Sequence, residues 1–242
     1  MDDPFGWRAK VGVLLPSVNT VAEPWFYRAA PPGVTFHFAR MMVGQGSGVE
    51  AVKKMMEDSL RAAQEVASIP VDVIAYCCTA STLIMGPDYD KELISKLESE
   101  TKIPVTTATA SLSAAFQALK VRTLSLISPY TQEIEAFEVK YFSECGYEIL
   151  SAKSMNLGIH ELDKPSPDEI YRFAKKGFEQ KADCMLISCL NFRSQACIKT
   201  LENDIQKPVV TSAQAVLWNV LRMVNVKEPI VGYGKLLDAE RI

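Results

Sequence analysis

Little in this sequence would hold a metal, a nucleotide or a nucleic acid. It has only two histidines, His37 and His160, both far along the chain from the cysteines, and no C-x2-C pair. The usual thiolate–imidazole spacing of a metal site is therefore missing. Cys77 and Cys78 are neighbours, and on a strand neighbours face opposite ways, which is poor geometry for one shared ion. There is no G-x-G-x-x-G fingerprint and no phosphate loop, so neither an organic cofactor nor a metal is expected. Basic charge is also short: the formal net charge is −3, and the longest basic clusters are pairs such as Lys53-Lys54 and Lys175-Lys176. A phosphate-rich polymer is thus not an expected partner. No apolar run approaches the roughly 20 residues of a membrane span. The opening MDDPFGWRAK has no apolar stretch of the kind a secretory signal needs. The expectation is a soluble, cytoplasmic protein with no membrane partner.

What is there suits a packed interior. The chain has 242 residues, 48% hydrophobic and 23% charged, enough for one large domain or two small ones. Six cysteines could pair, but in a long, core-rich chain without a signal they read as reduced thiols. Continuous apolar runs at Val11–Leu15, Val34–Phe38, Val71–Cys78 and Pro104–Thr107 read as buried strands. Between them, Val49–Ala67, Asp90–Glu98 and Ser111–Leu119 read as helices. Strands of this kind separated by helices mean a parallel sheet covered on both faces.

The pattern then repeats. Strands are expected at Thr123–Ser128, Glu148–Ala152, Cys184–Cys189 and Pro208–Thr211. Helices are expected at Glu133–Glu144, at Pro167–Gln180 with Ser166 as cap, at Gln195–Asp204 and at Ala213–Met223. Landmarks keep their order: VGVLLP matches LSLISP at Pro16 and Pro129, VDVIAYCC matches ADCMLISC at Cys78 and Cys189, and IPVTTA matches KPVVTS at Pro104 and Pro208. These pairs lie 113, 111 and 104 residues apart, and the shrinking separation fits a longer loop, LIMGPDYD, after the first cysteine. An internal duplication follows. The fold class is α/β: two pseudo-symmetric Rossmann-like, three-layer halves with parallel sheets and a site between them. Residues 1–110 with 212–242 form the first half and 111–211 the second.

Ligands of open parallel sheets bind at the carboxyl ends of the strands, where Cys78 and Cys189 both fall. Two thiols facing one small molecule suit racemisation or isomerisation. Backbone amides lower a thiol's pKa from about 8.5. Thr79, Ala80 and Ser81 after Cys78, and Leu190 and Asn191 after Cys189, offer such amides, which also bind a carboxylate without Arg or Lys. A free cysteine is more often a small core hydrophobe, and Cys77, Cys145, Cys184 and Cys197 are read that way. Ser17, Asn19 and Thr20 after Pro16, and Tyr130, Thr131 and Gln132 after Pro129, are helix caps taken singly and carboxylate ligands beside two matched cysteines. Neither histidine is assigned a role.

The segment LLPSVNT, with AYCCTAS, SPYTQE and LISC in order, resembles the maleate isomerase and arylmalonate decarboxylase branch of the aspartate/glutamate racemase superfamily. The likeness spans about Val11 to Met223, and SCLNFRS with PVVTSAQAVLW also resembles the ectoine-utilisation members. The resemblance implies carboxylate binding by Asn19, a nucleophile at Cys78, a tyrosine at Tyr130, an asparagine at Asn156 before Leu157, and a second catalytic cysteine at Cys189. Ser17, Thr79, Ala80, Thr131 and Leu190 complete the expected substrate-binding set. The implied reaction is cis–trans isomerisation of a maleate-type acid through a covalent cysteine adduct. An amino-acid, hydroxy-acid or hydantoin-type racemase and an arylmalonate-type decarboxylase are the enzymatic alternatives. Cys78 stands where the decarboxylases have glycine, and Ala80 where they have serine. A carboxylate-binding module is the non-enzymatic alternative. A homo-oligomer is a further expectation, since superfamily members often assemble.

Overall fold

The computed structural model describes residues 5–44 and 48–238; the first four residues of MDDPFGWRAK and the outer ends of the 1–110 and 212–242 segments lie outside them. The chain runs β1 (Ala9–Pro16), α1 (Ala22–Ala29), β2 (Val34–Met41), α2 (Gly48–Glu57), α3 (Ser59–Ala67), β3 (Val73–Tyr76), α4 (Thr79–Met85), α5 (Pro87–Thr101), β4 (Val105–Thr107) and α6 (Ala108–Ala118). It then repeats the order with β5 (Thr123–Ser128), α7 (Gln132–Glu144), β6 (Glu148–Ser154), α8 (Pro167–Gly177), β7 (Cys184–Ile187), α9 (Ile198–Ile205), β8 (Val209–Thr211) and α10 (Ser212–Met223), with a short α11 (Lys235–Asp238) last. Each half holds a four-stranded parallel sheet, ordered β2-β1-β3-β4 and β6-β5-β7-β8. Helices cover both faces, so the inner strands are apolar on both sides; all of Val73–Tyr76 and Cys184–Ile187 is buried.

The duplication extends to single hydrogen bonds. Glu98 Oε1 accepts the Val105 N–H at 3.0 Å, and Glu202 Oε1 the Val209 N–H at 3.0 Å. Thr107 Oγ1 caps α6 by accepting the Ala110 N–H; Thr211 Oγ1 caps α10 by accepting the Gln214 N–H. Asp72 accepts the Lys10 N–H ahead of the first sheet, and Asp183 the Arg122 and Thr123 N–H groups ahead of the second. The helices before β4 and β8 both end on a left-handed residue, Lys102 at φ 62° and Gln206 at φ 58°. The halves meet along α6 and α10; α10 packs on α6 and touches β3, β4 and β8.

Several elements differ from the sequence reading. Val49–Ala67 is two helices, because the Asp58 carboxylate accepts the Met42 N–H at 2.9 Å and the Arg61 Nε–H at 2.6 Å and breaks the run. The loop expected at LIMGPDYD is helical: α4 begins directly after Cys78, and Gly86 at φ 91° separates it from α5, which starts on Pro87. Gln195–Asp204 divides into a 3-10 turn, Ser194–Ala196, and α9. The Ser166 cap is present as a full capping box with Glu169. α1 was not read from the sequence; Asn19 Oδ1 starts it by accepting the Val21 and Ala22 N–H groups at 3.0 and 2.9 Å. Cys145 is exposed, not a core residue, because it caps the solvent end of α7.

Candidate active site

Both strand-end loops deliver a cysteine to one cleft. β3 stops at Tyr76 and β7 at Ile187, so Cys78 and Cys189 lie two residues beyond their strands. The cleft has about 710 Å³ of empty space, its mouth included, and both cysteines line it. Cys77, Asn19, Thr79, Ala80, Tyr130, Thr131, Leu190 and Asn191 line it too. Val18, Val43, Val52, Met55, Ile134, Leu157, Ile159 and Leu162 form apolar walls. No Lys, Arg or His lines it among the described residues. A carboxylate there would meet amides and hydroxyls, not cations.

The two thiols sit in unlike settings. Cys78 is extended, at φ −132°, and stands as the first cap of α4. Burial pushes its thiol up, while the Ser81 hydroxyl and the Ala80 and Ser81 N–H groups pull it back. That hydroxyl has one hydrogen, donated to the Cys78 carbonyl at 2.9 Å, so the two amides are the standing donors to sulfur. Cys189 is left-handed, at φ 86°, and its N–H donates to Ser212 Oγ at 3.1 Å. Burial pushes its thiol up to about 12, opposed by the Asn191 N–H and the Tyr130 hydroxyl and reinforced by Cys78 and Glu138. The Tyr130 phenol is held well above its ordinary value, by burial first, and stays protonated.

Other predicted residues divide. Asn19 is buried, and with Oδ1 committed to α1 its Nδ2 donates to no protein group among the described residues. Thr79 is buried with an unpartnered hydroxyl, and Thr131 makes no side-chain cap bond to α7. Ser17 and Asn156 do not line the cleft. Ser17 Oγ accepts the Val43 N–H at 3.0 Å; Asn156 Oδ1 accepts the Gln132 N–H at 3.4 Å while its own N–H donates to the Tyr130 carbonyl. Both hold loops that carry other cleft residues.

Asn191 and Glu138 carry more of this site than the sequence reading gave them. Asn191 closes the cleft across the two halves: Oδ1 accepts the Thr20 N–H at 2.9 Å and Nδ2 donates to the Val18 carbonyl at 3.4 Å. Glu138 lies fully buried on α7, within electrostatic reach of Cys189 and Tyr130. Among the described residues, no group of three or more His, Cys, Asp and Glu side chains is arranged to hold a metal ion. No helix among them is long and apolar enough to cross a membrane.

Comparison with known proteins places this geometry among relatives. The arylmalonate decarboxylase family model matches residues 32–237. The maleate isomerase of Pseudomonas putida is 27% identical, with 95% of this chain and 97% of that protein aligned. The maleate isomerase of Geobacillus stearothermophilus is 25% identical, over 96% of this chain and 98% of that one. A Nocardia farcinica maleate cis–trans isomerase, solved as a cysteine-to-serine variant with a covalently bound succinylcysteine intermediate, superposes with a TM-score of 0.90 at 20% identity, covering 95% of this chain and 98% of that one.

Proposed function

Because this chain belongs to the arylmalonate decarboxylase family, we propose that it is a two-cysteine isomerase that converts a maleate-type cis acid to its trans isomer. The observation that carries this reading is the unequal setting of two thiols on one cleft. Burial raises both thiols, but two amides oppose the rise at Cys78, whereas at Cys189 one amide and the Tyr130 hydroxyl oppose it and the thiol is held near 12, protonated at neutral pH. Cys78 is accordingly the nucleophile and Cys189 the acid.

The chemistry then runs in balanced steps. Asn19 Nδ2, the Thr79 hydroxyl and the amides of the Cys78 and Cys189 loops hold the carboxylates. The Cys78 thiolate adds to one alkene carbon, and the Cys189 S–H delivers its proton to the other. The former double bond is now single and rotates. The Cys189 thiolate, held by the Tyr130 O–H and the Asn191 N–H, removes a proton from the same carbon, and Cys78 leaves with its electron pair. The succinylcysteine of the Nocardia farcinica relative is the adduct this scheme requires. Apolar walls keep water from the thiolates. Six free thiols suit a reducing compartment, in keeping with a cytoplasmic site of action.

Incubating the reduced protein with maleate in deuterated buffer, without metal or cofactor, tests the reading by proton NMR. Fumarate should accumulate, and Cys78→Ala should abolish it. Deuterium entering the α-carbon of a recovered amino or hydroxy acid would instead make the protein a racemase. Loss of carbon dioxide from phenylmalonate would make it a decarboxylase, and no change in any acid would favour a binding module.

A further inference from the structure

Behind Tyr130 and Cys189 lies a set of oxygens that the scheme above does not use. Glu138 is 0% exposed, and neither carboxyl oxygen has a hydrogen-bond partner. The Ser128 and Ser188 hydroxyls flank it, equally buried; both bear on the carboxyl as donors, though neither makes a well-formed hydrogen bond to it or to any other group. Four buried oxygens with only one another for company are costly, and such sites call for an explanation. Their position supplies one. Ser128 ends β5 two residues before Tyr130, and Ser188 follows β7 directly before Cys189. One carboxyl on α7 thus sits between the two strand ends that carry the Cys189 thiol and its phenol.

The first half lacks this arrangement. By the duplication, Glu138, Ser128 and Ser188 correspond to Trp25, Leu15 and Cys77. All three of those are buried and lack a carboxyl or hydroxyl group. Only the half that carries Cys189 replaces an apolar underlay with a carboxyl and two hydroxyls.

Building on the isomerase reading, we propose that Glu138 is the positioning residue of the Cys189 thiol: seated between Ser128 and Ser188, it holds Tyr130 and Cys189 in register and leaves Cys189 free to become the local anion. When Cys189 gives up its proton, Glu138 keeps its own, so one negative charge and not two occupies the region. Burial favours that neutral form and lifts the carboxyl to about 8. The titratable neighbours are Glu135 on α7, with Tyr130 and Cys189 on the cleft side; of the elements packed against α7, α4 carries no charged residue, and Glu148 and Lys153 of β6 are not among the groups that shift Glu138. Above about pH 8 the ionised Glu138 opposes the Cys189 thiolate.

Alkylation by iodoacetamide, followed peptide by peptide in a mass spectrometer, reads this without any substrate. At pH 9, Glu138→Gln should raise the Cys189 rate about tenfold by removing one nearby charge, with Cys78 changed less than twofold. Glu138→Met, apolar like the first half's underlay, should do the same. Where turnover is detected, the alkaline fall in kcat above about pH 8 should vanish in both variants. A folded variant whose Cys189 rate stays within twofold of the unaltered protein, or whose Cys78 accelerates equally, overturns the proposal. So does failure of both variants to fold, which makes the carboxyl purely structural. An inactive but normally alkylated parent protein would sink the isomerase reading and leave this one standing.

Discussion

The two halves share a topology and even single backbone caps, yet their cysteine loops diverge. After β3 the chain enters α4 at once, so Cys78 is extended and two successive amides reach its sulfur. After β7 it turns through a left-handed Cys189 into a 3-10 turn, and the sulfur meets a phenol, one amide and a distant carboxyl. Duplication supplied two thiols in matching places; burial raises both, and local departures from symmetry set more amide donors against that rise at Cys78 than at Cys189. A symmetric pair would suit a racemase that removes a proton from either face. An asymmetric pair suits one nucleophile and one acid.

Removing the thiols tests that asymmetry first and should have the largest effects. Cys78→Ala is expected to lower turnover of maleate by about 10⁴-fold or more and to prevent any adduct, since the nucleophile itself is gone. Cys189→Ser should lower turnover by about 10³-fold, within the range of a lost general acid, yet still allow slow addition at Cys78. Intact-mass measurement distinguishes them: an adduct mass with Cys189→Ser and none with Cys78→Ala. Equal losses with an adduct in neither would restore the symmetric picture.

The next effect is on stability. Glu138 has a folded-state pKa of about 8, raised from 4.5. Its neutral form therefore favours folding fully below about pH 4.5, and that advantage is lost as pH rises through 8. Glu138→Gln removes the penalty, so the variant should be about 2–4 kcal/mol more stable than the parent at pH 8, the gap narrowing towards zero near pH 4. Urea unfolding at several pH values measures it; a gap independent of pH would mean the carboxyl is not raised.

Tyr130→Phe should cost about 10- to 100-fold in kcat, as loss of one hydrogen bond to a charged sulfur, with a smaller change in KM. It should leave Cys78 alkylation unchanged, because the phenol's hydroxyl serves the other thiol. A fall confined to KM would make Tyr130 a binding group.

How far the sequence foretold this site follows from the same divergence. Apolar runs identify strands wherever both faces are buried, and Thr123–Ser128 matched β5 residue for residue. α4 was missed because Thr79–Thr82 are small and mostly polar, which reads as a loop until the Gly86-Pro87 punctuation is weighed. Cleft positions that repeat across the halves, such as Cys78 with Cys189, were visible as landmarks. Glu138 was not, since a glutamate in an amphipathic helix looks solvated until alignment of the halves sets it against Trp25. Ser17 was chosen as a polar residue after a strand-ending proline and Asn156 on its motif, and both side chains hold loops at the cleft margin.

Ser17 offers the smallest and sharpest contrast. It follows Pro16 as Tyr130 follows Pro129, so the two occupy equivalent positions. Tyr130 reaches sulfur, whereas Ser17 accepts the Val43 N–H and ties the loop after β2 to the end of β1. Ser17→Ala leaves that half-buried amide without its acceptor, at about 1 kcal/mol of stability. Turnover should stay within about twofold, because Val43 is only part of an apolar wall. Thermal melting and maleate kinetics on the same preparation check both halves of the statement. A stable variant with kcat/KM down by more than about tenfold would put Ser17 on the substrate and return it to the role its motif implied.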